Sequence, residues 1–123
     1  MDRSSDIEAA LVRILNDSRT PVGAGCLAGD RHIVTCAHVV AAALGADAEA
    51  ESPPQGTVRL DFPLLPGHPE CEATVVKWLP VSEPPKMGAP EDIAVLMVVE
   101  NSAIPDGAIP AQISSGPGVG GAV

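Results

Sequence analysis

The chain has 123 residues, with 7 Lys plus Arg against 16 Asp plus Glu, giving a net charge of −9 with neutral histidines. That length fits one domain, and an apolar share of 46% supplies a core, which excludes a wholly disordered chain. One Phe, one Trp and no Tyr leave no aromatic platforms for stacking bases, and the acidic balance repels phosphate backbones, so no nucleic-acid partner is expected.

The first segment carries two signals. Ser5 and Glu8 form an S-x-x-E capping box with Ile7, Leu11, Ile14 and Leu15 at helical spacing. The turn cluster Asn16 to Pro21, followed by the Gly-rich apolar run Val22 to Ala28, reads instead as a hairpin. The expectation is one helical turn near Ser5, then strand from about Ala10. Gly29-Asp30-Arg31 is a second turn, and His32 to Thr35 is a short strand rich in β-branched residues. Ala37 to Leu44 is almost all small or aliphatic and is closed by Gly45, the residue a helix C-cap prefers, which predicts a short helix.

Ala46 to Gly56 reads as an acidic, solvated loop. After it Val58, Leu60 and Phe62 alternate with Thr57, Arg59 and Asp61, the clearest period-2 signal in the chain. Glu70 to Leu79, with Val75, Val76 and Trp78, is a further strand, and Trp78 is expected to pack in the core or at a rim. Pro80 to Pro90 is irregular. Ile93 to Val99 is apolar on both sides, as in a strand buried on both faces. Nine of the thirteen prolines fall between Pro53 and Pro90, which rules out long helices in the second half. Asn101 to Val123 reads as an extended strap or linker.

Six short strands and one small helix predict an all-β fold, and closure into an antiparallel barrel would hide the edges that short strands expose. No apolar run reaches the roughly 18 residues of a membrane span. The acidic N-terminus, MDRSSDIEAALVRIL, has no secretory h-region, so the chain is expected in the cytoplasm with no membrane contact.

Two stretches carry chemistry. Gly23 to Val40 runs as glycine-rich strand, turn, strand and helix start, which places the His38 imidazole at a barrel rim. Glu91-Asp92-Ile93-Ala94-Val95-Leu96 sets a carboxylate directly before an apolar strand, where it needs a partner. A metal site drawn from Cys26, His32, Cys36 and His38 lacks the paired C-x₂₋₄-C and H-x₃₋₅-H spacing of structural zinc. These cysteines read as ordinary thiols, with no metal and no cofactor expected.

With these residues in view, the chain resembles the chymotrypsin/trypsin-like serine peptidases, and more closely their disulfide-poor bacterial members of the HtrA type. Thr35-Cys36-Ala37-His38 matches the family's T-A-A-H and Asp92-Ile93-Ala94-Val95-Leu96 its D-I-A-L-L, in the family's order and 54 residues apart. The resemblance spans Leu11 to Val99. It implies residues 1–100 as the N-terminal six-stranded Greek-key barrel of a double barrel, and 101–123 as a strap toward an absent second one. It further implies His38 as general base and Asp92 as the group that fixes its tautomer, acting on a polypeptide substrate.

The sequence departs from the family in having no G-D-S-G after Asp92. Ser114 and Ser115 do not match that motif, and 31 residues are too few for a second barrel. The expectation is therefore a serine endopeptidase domain lacking its nucleophile and inactive alone. The alternative is a non-catalytic, protease-like interaction module. Val39 stands where the family usually has a cysteine, in keeping with an odd cysteine count. Cys26, Cys36 and Cys71 are thus predicted to be free thiols, which mass spectrometry of the unreduced protein checks.

Overall fold

Short β-rich segments broken by turn residues give six strands: β1 (Leu11–Leu15), β2 (Pro21–Ala28), β3 (His32–Thr35), β4 (Val58–Asp61), β5 (Glu70–Leu79) and β6 (Ile93–Val98). A helix, α1 (Ala37–Leu44), follows β3. The computed structural model describes residues 9–29, 31–82, 88, 90–99 and 102–110. Ala9 and Ala10 are helical; the helical turn expected near Ser5 lies outside the described residues.

The strands close into an antiparallel barrel in the order β1-β2-β3-β6-β5-β4. β1-β2-β3 and β4-β5-β6 are each a meander. They are joined at one seam by β3 on β6 and at the other by β1 on β4. The expected all-β, six-stranded Greek-key barrel with a short helix after the histidine is the observed fold. Inward positions alternate along each strand, so Val12, Ile14, Leu27, Ile33, Val58, Leu60, Leu96 and Val98 fill the interior with Phe62. α1 covers one end, adding Val39 and Val40 to that core. Gly45 takes a left-handed conformation and its N–H donates to the Ala41 carbonyl, ending the helix where the glycine predicted.

Three features were not foreseen. β6 is not buried on both faces: Ala94, Leu96 and Val98 point inward, whereas Met97, on the outer wall of the closed barrel, is 40% exposed. β5 carries a bulge at Val76, with Val75 opposite Leu96 but Lys77 opposite Val95. The extra residue reverses the inward phase, from Cys71 and Ala73 to Trp78. Arg13 on β1 faces Asp61 on β4 and donates two hydrogen bonds to its carboxylate, at 2.9 and 2.7 Å, so an acidic side chain only 7% exposed is fully paired.

Residues 102–110 lie along this barrel. Ile104 and Ala108 pack against the core, and the Arg31 guanidinium donates to the carbonyls of Val98, Val99 and Ser102. The Ser102 hydroxyl accepts from the Glu72 N–H at 3.0 Å.

Gly25 on β2 has no room for a side chain, since a Cβ there would stand 2.7 Å from the Val34 carbonyl oxygen and 3.1 Å from Thr35 Cβ. A backbone atom cannot swing aside. Gly25→Ala is predicted to destabilise the barrel by about 1–3 kcal/mol, to be read from the midpoint of chemical denaturation.

Candidate active site

The site forms where β3 runs into α1 and the chain enters β6. Thr35 ends β3 with its hydroxyl donating to the Ala24 carbonyl at 2.8 Å, which fixes the strand end against the glycine-rich part of β2. Cys36 follows as the N-cap of α1 in extended conformation, but its thiol makes no capping hydrogen bond, and the first turn holds no acidic residue. A helix start in that state has backbone N–H groups in need of an acceptor and a positive dipole end in need of an anion.

Asp92 supplies both from the far side of the sequence. Its Oδ1 accepts from the His38 backbone N–H at 2.9 Å, and its Oδ2 lies 2.7 Å from His38 Nδ1. A carboxylate oxygen only accepts, so Nδ1 carries the imidazole proton and Nε2 presents a lone pair. The His38 side chain is 60% exposed and that of Asp92 30%, so the ring reaches solvent while the carboxylate is half sheltered. Asp92 has φ +59°, a left-handed conformation that Asp tolerates better than most residues, and its own N–H donates to the Pro80 carbonyl. The predicted pair, His38 and Asp92, therefore meets at the barrel rim through two contacts to one carboxylate.

Cys36 belongs to the same group. Its sulfur, an imidazole nitrogen of His38 and a carboxylate oxygen of Asp92 all lie within 4.8 Å of one another. Cys26 and His32, entertained from sequence as companions of Cys36 and His38, do not join this cluster. The reason is topological: His32 opens β3 at the end remote from α1, and Asp92 is adjacent only through the β3–β6 seam. The motif T-C-A-H held the signal for Cys36, in the cysteine that replaces a small residue two places before the histidine. Ser114 and Ser115 lie outside the described residues.

All three cysteines are free. Partial burial, and then the nearby Asp92 carboxylate, push the Cys36 thiol above its ordinary range. Burial likewise raises Cys71, against the lowering effects of Ser102 and Arg31. Among the described residues no buried side-chain polar atom lacks a partner. Nor is any helix among them long and apolar enough to cross a membrane.

No known family profile matches the chain, and no curated protein matches it. Among the solved structures that it resembles is neuropsin, a serine protease expressed in the limbic system of mouse brain, at 18% sequence identity and a TM-score of 0.49. The likeness covers 89% of this chain and 45% of that one, so the chain spans about half its length. The fold assignment rests on the strand order and closure of this chain itself.

Removing the negative charge at Asp92 should lower the Cys36 thiol toward its ordinary value, because the carboxylate is one of the two groups of causes that raise it. More thiolate is then present at any given mildly alkaline pH. Alkylation of Cys36 by iodoacetamide, followed by peptide mass spectrometry, is predicted to be faster in Asp92→Asn than in the parent chain.

Proposed function

We propose that His38 and Asp92 are the general-base half of a serine-type endopeptidase site, completed by a serine nucleophile from a second barrel. The observation that carries this reading is the 2.7 Å contact of His38 Nδ1 with Asp92 Oδ2, made while the other carboxylate oxygen is anchored on the His38 N–H. It leaves Nε2 as a directed, solvent-facing acceptor.

In such a site Nε2 takes the hydroxyl proton as the serine oxygen bonds to the scissile carbonyl carbon. The imidazolium so formed stays paired with the Asp92 carboxylate, then returns its proton to the departing amine nitrogen as the peptide bond breaks. Asp92 holds the tautomer and the ring plane and is not itself protonated. The match of Thr35-Cys36-Ala37-His38 and Asp92 to Leu96 with the chymotrypsin/trypsin-like motifs supports the same roles. Three free thiols suit a reducing compartment, which supports a cytoplasmic location.

The chain alone is predicted to resist labelling by an active-site fluorophosphonate. Joined to a serine-bearing second barrel it should label and cleave polypeptides, with His38→Ala lowering kcat by roughly 10⁶-fold and Asp92→Asn by roughly 10⁴-fold. Stoichiometric labelling of the chain alone would overturn the shared site. Polypeptide binding with no cleavage by the joined protein would replace this reading with a protease-like interaction module.

A further inference from the structure

Three donors of unlike chemistry converge at the rim: a thiol sulfur, an imidazole nitrogen and a carboxylate oxygen, all within 4.8 Å of one another. Their backbones are set by different constraints. Cys36 is the extended N-cap of α1, His38 lies in its first turn, and Asp92 sits in a left-handed bend held by the Pro80 carbonyl. None of the three side chains is fully buried, so an ion can reach them from solvent.

We propose that Cys36, His38 and Asp92 form a three-ligand site for a zinc ion, with the fourth tetrahedral position open to solvent. Mixed sulfur, nitrogen and oxygen donors suit this borderline ion, whereas the hard cations magnesium and calcium take oxygen ligands alone. Bonds of about 2.0–2.3 Å hold tetrahedral ligand atoms roughly 3.3–3.7 Å apart, so the cluster has to close by only about 1 Å at its widest. Asp92 arrives already oriented, because Oδ1 stays on the His38 N–H and leaves Oδ2 as the ligand, the kind of supporting contact that metal-binding carboxylates use.

With Nδ1 as the histidine ligand, the hydrogen bond to Oδ2 must open, since 2.7 Å is too short for two ligands of one tetrahedral ion. The imidazole proton moves to Nε2, and the Cys36 thiol releases its proton to solvent as the zinc–sulfur bond forms. Nε2 then donates where it formerly accepted. The zinc-bound form and the general base thus exclude each other, so zinc is a reversible inhibitor of the same residues; that regulatory consequence rests on the function proposed above, whereas the binding site does not.

The test titrates the reduced 123-residue chain with Co²⁺ and then Zn²⁺, following absorbance and heat. A single equivalent of Co²⁺ should produce a sulfur-to-cobalt charge-transfer band in the near ultraviolet that Zn²⁺ abolishes. Cys36→Ala should lose the band and weaken zinc binding by roughly 100-fold or more, while Cys26→Ala and His32→Ala retain both. Cys36→Ser, which keeps the side-chain volume, provides the same comparison if the alanine variant does not fold by circular dichroism. Absence of the band in the parent chain, or zinc affinity unchanged in Cys36→Ala, overturns the site. Zinc binding without peptidase activity in the two-barrel protein leaves the site standing and removes the base; peptidase activity without zinc binding does the reverse.

Discussion

One carboxylate holds the rim together. Asp92 reaches across from the entry of β6 to the start of α1, where Oδ1 caps a helix whose own N-cap side chain does not and Oδ2 grips the imidazole. The two contacts reinforce each other. A helix cap fixes where the carboxylate stands, and a fixed carboxylate leaves the ring one favoured orientation. The helix dipole adds a positive field at the place where the anion sits, so a structural need of α1 and a chemical need of His38 are met by the same atoms.

The barrel makes that bridge possible by bringing β3 and β6 side by side although they are far apart in sequence. Its rigidity comes from several cross-chain ties. Arg13 on Asp61 fastens the β1–β4 seam, Arg31 gathers the end of β6 and the chain beyond it, and Trp78 donates its indole N–H to the Ala50 carbonyl at 2.7 Å. The last of these draws the acidic loop after α1 toward β5. The Val81 N–H donates to the Ala48 carbonyl in the same region, next to the Pro80 carbonyl that receives Asp92. The carboxylate is thus set on a braced segment.

Much of this was legible in the residues. The bounds of β3, α1 and β5 follow from β-branched runs, small-residue content, Gly45 and flanking prolines, because each of those signals is local. His38 and Asp92 stood out because a polar group beside apolar strands needs a partner, and each lay in a familiar motif. What sequence did not show depends on register. Arg13 and Asp61 lie 48 positions apart, and nothing in either neighbourhood says that they face each other. The outward face of β6 is as apolar as its inward face, so periodicity could not tell a barrel wall from a doubly covered strand. Cys36 was weighed with the wrong companions, since its neighbours along the chain are not its neighbours in space.

The bulge at Val76 bears on which changes this chain can absorb. Up to Val75 the odd-numbered residues of β5 face the interior; past the extra residue Trp78 does, and Leu79 comes to lie beside Ile93. The strand can therefore lose one residue at the bulge, since without Val76 the remaining Val75, Lys77 and Trp78 alternate regularly and the indole still faces inward opposite Ala94. One added residue before Trp78 would instead turn it outward and slide Pro80 along the seam, taking with it the carbonyl that holds the Asp92 backbone. Side chains along the outer wall can drift through many identities at little cost, while this strand can shorten by its bulged residue but cannot lengthen without losing the phase of Trp78. In a lineage of such chains, insertions should collect in the acidic loop and in the Pro-rich turn before β5, and halt at Glu70.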